Sequence, residues 1–362
     1  MIFETTFSTQ ELMFWLLFVP AGTILLLVLY VGASQKRNHI SNCSCHPDRL
    51  SKVNIVSKQL RIGYSVYNTW IGRYIHTMNV VQASTDQMPH TKTEQQTYKK
   101  TTVLPVPYLE DNYAYLIVCH ATGHVAVVDP GDAMSVEIAM AKLHVPDSCP
   151  KLQLTTILTT HGHWDHDGGN QDLLSDNPNL IIVGGKGDGV SCCNRPVEDN
   201  EIIRVGDLFI RAVWTPCHTP YHMCYHYESG TSVGVGTFGG DDETTSLLFS
   251  GDTLFVGGCG KFWEGDAEDM KYSLDKLKGL APHTLLYCGH EYAVNNLSFN
   301  RFVEPNNVDV KRMLTLCQKK RDEKLQTVPT LLSEEYKYNS FLRAADIPLK
   351  VERKTNSGHE VD

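Results

Sequence analysis

Residues 160–166 read Thr160-His161-Gly162-His163-Trp164-Asp165-His166, directly after the run Leu154-Thr155-Thr156-Ile157-Leu158-Thr159. Three histidines and an aspartate lie within six positions just past an apolar, β-branched run of strand length. That is the pattern of a metal site at a strand end. On an extended backbone alternate side chains share a side, so His161 and His163 can hold one ion together. Asp165 and His166 then turn toward a neighbouring position, which leaves room for a second ion. A solvated loop is the ordinary reading of a lone histidine. Four ligand types so close together outweigh it.

Three further candidates follow short apolar runs. His218 lies in Thr215-Pro216-Cys217-His218-Thr219, Asp252 in Ser250-Gly251-Asp252-Thr253, and His290 in Cys288-Gly289-His290-Glu291-Tyr292. Potential ligands placed beyond several strand ends are how an α/β scaffold gathers a site from distant pieces of chain.

The four motifs THxHxDH, TPxHT, SGDT and GHEY, in this order, resemble the metallo-β-lactamase superfamily and, within it, the hydroxyacylglutathione hydrolases (glyoxalase II). The likeness runs from about residue 102 to 343, through Val128-Asp129-Pro130-Gly131 and Gly251-Asp252-Thr253-Leu254-Phe255-Val256-Gly257-Gly258-Cys259-Gly260-Lys261-Phe262. Upstream, Arg61-Ile62-Gly63-Tyr64-Ser65-Val66-Tyr67 is similar to membrane-associated vertebrate relatives of that family. The resemblance implies an α/β fold: two packed mixed sheets with helices outside them, an αββα sandwich, followed by a C-terminal helical domain that closes over substrate. It implies one metal held by His161, His163, His218 and Asp252, and another by Asp165, His166, Asp252 and His290. Asp252 then bridges. An imidazole and carboxylate donor set takes zinc, and also iron or manganese. The implied reaction is hydrolysis of a hydroxyacylglutathione-like thioester by a hydroxide bridging two divalent metals, with Asp165 and Asp252 central to catalysis and no side-chain nucleophile. Asp129 and His222 are candidates to orient the ligands from behind. Lys261 and Tyr292 fall at positions that contact glutathione in the family. Trp263 stands where the family has Tyr, which keeps the apolar contact and loses the hydroxyl.

Composition bounds the alternatives. A formal charge of −9 over 362 residues gives no support for nucleic-acid binding. Eleven cysteines without framework spacing fit a reducing compartment. Residues 12–33 carry no charge and are long enough to cross a bilayer. Lys36, Arg37, Arg49, Lys52, Lys58, Arg61 and Arg73 follow them. The expectation is a single-pass membrane protein with its catalytic part in the cytosol. An aromatic-rich amphipathic helix is expected over 61–81, and a linker over 83–100. The expected layout is an anchor (1–34), a basic juxtamembrane segment with that helix and linker (35–100), a catalytic domain (101–265), a region completing the sandwich and forming the helical domain (266–345), and a polar tail (346–362). Two other functions compete: a persulfide dioxygenase with a single iron, and a membrane-tethered interaction protein with a vestigial hydrolase domain. The full set of seven ligands argues against the last.

Overall fold

Every residue of Asn112–Cys119 is buried, and a strand covered on both faces belongs between layers. The computed structural model describes residues 89–229 and 245–347. A first sheet has seven strands in chain order: β1 (Gln96–Thr97), β2 (Thr101–Tyr108), β3 (Asn112–Cys119), β4 (His124–Val128), β5 (Gln153–Leu158), β6 (Ile181–Gly185) and β7 (Arg195–Val197). It is antiparallel from β1 to β4 and parallel from β4 to β7. A second sheet runs β15 (Thr330–Leu331), β14 (Leu285–Cys288), β11 (Ser246–Gly251), β10 (Met223–Glu228), β9 (Leu208–Trp214), β8 (Ile202–Val205). A small hairpin, β12 (Leu254–Phe255) with β13 (Gly258–Cys259), follows β11.

Period-two alternation explains the layering. Tyr113, Tyr115, Ile117 and Cys119 of β3 join Ile210, Ala212, Tyr225, Leu247, Phe249 and Tyr287 of the second sheet in one core between the sheets. The alternate residues Ala114, Leu116 and Val118 face the other way. They pack with Val136 and Ala139 of α1 (Ala133–Met140) and Leu173 of α3 (Asn170–Asp176). On the far side, Val213, Cys224, Leu248 and Leu286 meet Met270, Leu274 and Leu277 of α4 (Ala267–Lys278). Asp266 and Asp269 start α4 with a capping box. The four layers are the expected αββα sandwich. Beyond β14 come α5 (Ala293–Val303), α6 (Val308–Asp322) and α7 (Leu332–Tyr338), the expected helical region.

One expectation, the linker over 83–100, is corrected for its described part, 89–100. Residues read as linker are bound to the fold: Lys92 N donates to Lys324 O at 2.7 Å, and β1 pairs with β2. Polar composition hid this, because the docking uses backbone groups and short side chains. Among the described residues no helix is long and apolar enough to cross a membrane. The expected anchor at 12–33, the amphipathic helix at 61–81 and the tail from 348 onward lie outside the described residues.

Candidate dinuclear metal centre

The strands that deliver the predicted residues point the same way. β4 and β5 are parallel. β9, β11 and β14 share a direction, since β10 is antiparallel to β9 and β11 while β14 is parallel to β11. All five end at the cluster. β5 runs into His161. His163 caps α2 (Trp164–Asp167), whose first turn carries Asp165 and His166. His218 follows β9, Asp252 follows β11 and His290 follows β14. The expected turn after His163 is therefore a short helix, which brings His166 back beside His161, 4.2 Å between ring centroids, and carries Asp165 toward His290.

All seven predicted ligands come together. Three groups have ligand atoms within 4.8 Å of one another: His161, His163 and His218; His161, His166 and Asp252; Asp165, His166 and His290. Asp252 Oδ2 lies 3.4 Å from His218 Nε2, while its Oδ1 lies 3.5 Å from His166 Nε2 and 3.4 Å from His290 Nε2. His163 Nδ1 is 3.1 Å from His218 Nε2, and His290 Nε2 is 3.6 Å from Asp165 Oδ2. Donors about 2.1 Å from a tetrahedral ion stand about 3.4 Å apart. The spacing therefore fits an ion inside each set. His161 Nε2 is buried without a hydrogen-bond partner, an uncommon state for a buried polar atom unless something else satisfies it.

The groups behind the ligands set their tautomers. Asp129 Oδ1 accepts Thr160 N at 2.7 Å; its Oδ2 accepts the Thr160 hydroxyl at 2.8 Å and His166 Nδ1 at 3.1 Å. Because the Thr160 hydroxyl proton goes to Asp129, its oxygen accepts from His161 Nδ1 at 3.0 Å. Nε2 of both histidines is thereby left for an ion. Asp129 makes these contacts from a left-handed backbone, φ 48°. His222 Nε2 accepts Asp252 N at 3.2 Å, and its ring stacks on His161 at 4.9 Å between centroids. Both sequence candidates for this supporting role thus touch the cluster.

Sequence reasoning missed Asp111, Asn112 and Asp188. Asp111 Oδ1 lies 2.8 Å from His290 Nδ1, Asn112 Nδ2 donates to Asp165 Oδ2 at 3.1 Å, and Asp188 Oδ2 accepts Gly162 N at 2.7 Å between two ligands. Their roles depend on tertiary pairing, and the only signal was that Asp111-Asn112-Tyr113 belongs to the family-like stretch.

Electrostatics favour a cation here. Burial, then the neighbouring imidazoles, drive His161 well below the usual histidine range. Burial opposes charge on His166 as well, yet Asp165, Asp252 and Asp129 outweigh it and raise its pKa to about 9. His290 is raised well above its ordinary value, with burial overcome by Asp252, Asp111 and Asp165. Burial raises Asp252, but His290 and His166 pull it well below the carboxylate range. The carboxylates that hold a proton on His166 and His290 would favour a divalent ion beside them, while His161 stays neutral and so able to donate a lone pair.

The predicted substrate contacts adjoin the cluster. Tyr292 stacks on His290, 4.7 Å between centroids with 7° between planes. The Lys261 ammonium lies 3.9 Å from the Trp263 ring centroid.

This fold with this cluster defines a metal-dependent hydrolase of the metallo-β-lactamase superfamily. Residues 108–191 match the family model described as metallo-beta-lactamase superfamily, and residues 291–361 match hydroxyacylglutathione hydrolase C-terminus. The second match extends into the segment expected as a polar tail. A cytoplasmic hydroxyacylglutathione hydrolase of Arabidopsis thaliana is 41% identical over 243 residues, 67% of this chain and 87% of the relative. The chain belongs to the hydroxyacylglutathione hydrolase (glyoxalase II) family, whose members are metal-dependent thioester hydrolases. A metallo-beta-lactamase from Staphylococcus aureus is similar in structure at TM-score 0.45 and 22% identity, over 76% of this chain and 69% of the other. ETHE1 from Myxococcus xanthus is similar at TM-score 0.40 and 22% identity, over 70% and 99%. The expectation of a single-pass membrane location is corrected here: the relative that is 41% identical over 243 residues is described as cytoplasmic.

Proposed function

We propose that this chain hydrolyses hydroxyacyl thioesters of glutathione at two divalent ions, zinc in the first instance, with iron or manganese compatible with the same donors. One ion is held by His161, His163, His218 and Asp252, the other by Asp165, His166, Asp252 and His290. The observation that carries this reading is the Asp252 carboxylate, with one oxygen turned to His218 and the other to His166 and His290. When bound, the ions supply Lewis acidity that activates water and polarises the thioester carbonyl.

The protein's own part is placement. Asp129, Asp111 and His222 hold the ligand rings and the Asp252 backbone in one orientation. Lys261 offers an ammonium for a glutathione carboxylate, with Trp263 beneath it and Tyr292 stacked on His290 as further contacts for the same substrate. A thiolate is a good leaving group, so no dedicated acid is needed. A single ion on the first set would leave the Asp165, His166 and His290 group unfilled.

The test is hydrolysis of S-D-lactoylglutathione by the zinc-loaded full chain, alongside elemental analysis. Thioester cleavage with close to two ions per chain supports the reading. A limit of one ion with oxygen-dependent activity overturns it.

A further inference from the structure

The segment after the β12–β13 hairpin touches the metal cluster with its backbone and solvent with its side chains. The Lys261 carbonyl lies 2.9 Å from His218 Nδ1 and 2.9 Å from Trp263 N. A carbonyl only accepts, so the His218 proton sits on Nδ1 and Nε2 faces His163 and Asp252. The exposed Lys261 ammonium rests on the Trp263 ring at 3.9 Å. Residues 261–263 thus form a turn closed twice, once by backbone and once by a cation–π contact.

The rest of the segment lies against the loop that carries His218. Glu264 N donates to Cys217 O at 3.2 Å. A Cβ at Gly260 would stand 1.7 Å from Asp252 O and 3.3 Å from His218 Nδ1, and one at Gly265 would stand 2.5 Å from Cys217 Cα. Residues 260–265 are therefore packed directly against the His218 loop.

We propose that the Lys261–Trp263 turn is a positioning element for His218, and that it couples retention of the ion on His218 to binding of a carboxylate ligand at Lys261. The carbonyl holds the ring that holds the ion. The aromatic face holds the lysine that supplies the carbonyl. A carboxylate pairing with the ammonium restrains the same turn, so ion and ligand strengthen each other by one common factor. The ligand half of the proposal rests on the glutathione reading above; the positioning half does not.

The experiment is a chelator titration of the zinc-loaded full chain, following ions released and the ring N–H proton signal of His218. Trp263→Ala should surrender one of the two ions at about tenfold lower chelator concentration, with that signal broadened or lost. Trp263→Phe, which keeps the aromatic face, should behave as the parent. Saturating S-methylglutathione, which lacks a free thiol, should raise the chelator needed for that ion about fivefold in the parent and leave Trp263→Ala unmoved. If Trp263→Ala, melting as the parent does, keeps both ions and the His218 signal unchanged, the positioning role is overturned. If S-methylglutathione binds the parent by calorimetry without protecting either ion, the coupling is overturned. Absence of any binding would sink the glutathione reading instead, while the Trp263 comparison still decides the positioning role.

Discussion

Asp111 Oδ1 accepts a hydrogen bond from His290 Nδ1 at 2.8 Å across 179 positions of chain, joining the turn between β2 and β3 to the last of the seven clustered side chains. Nearby backbone bonds lock the pair: Tyr113 N donates to Gly289 O, and Glu291 N to Asp111 O, each at 2.8 Å. Asp129 plays the equivalent part for His166, and through Thr160 for His161 as well.

The two carboxylates should therefore differ when neutralised. Asp111→Asn is expected to weaken retention of one ion about 10 to 100-fold. Asp129→Asn should weaken both, because its partners lie in both ligand sets. Ion counts during dialysis against graded chelator distinguish the two; equal loss from both variants would contradict the assignment.

Asp252→Asn should lower turnover by orders of magnitude, since it removes a charge shared between the two sets. Steady-state thioester hydrolysis at matched protein fold is the measurement. Parent-level turnover would show that Asp252 does not bridge.

Recognition is expected to separate from chemistry. Lys261→Ala should raise KM for S-D-lactoylglutathione about tenfold, equivalent to about 1.4 kcal/mol, as loss of a charged hydrogen bond would. Trp263→Tyr should lower KM by restoring a hydroxyl, and both should largely spare kcat when ion content is matched. Unmoved KM in both variants would place the substrate elsewhere.

Acid should unfold the protein partly through His226. Its ring is buried in β10, hydrogen-bonded to Ser246 Oγ at 2.9 Å, and burial, then Arg211 across the strand pair, lowers its pKa to about 4. The folded form keeps the ring neutral while the unfolded chain protonates near pH 6.5. Stability is therefore intact above about pH 6.5 and falls as pH drops toward 4, by at most about 3 kcal/mol. Denaturant melts at pH 7.5 and 5 should show a smaller loss for His226→Gln than for the parent. Identical pH dependence would refute the assignment.

The sequence made the cluster legible because its seven side chains are metal-binding types that follow apolar runs, and they do meet in the fold. The runs at 114–119, 154–158, 208–213, 247–249 and 285–287 all lie in strands. β2 was harder to see, since Pro105 and Pro107 argue against a central strand. β1 pairs only with Thr102 and Val103, so beyond them β2 is an edge, where proline is tolerated. β10 carries His226 among tyrosines and shows no clean alternation, because both its faces are buried. Asp111, Asn112 and Asp188 could not be found by pattern. Their function exists only once strands distant in sequence meet.

The order in which the cluster's side chains leave the ribosome follows from their place in the chain. Four arrive together at residues 161–166, then His218, then the shared carboxylate at 252, and last the imidazole at 290. A nascent chain halted before 252 can complete neither coordination set, and one halted before 290 can complete only the first. Under the proposed ligand sets, a premature stop between 252 and 285 would leave the second set without His290 and the second sheet without β14.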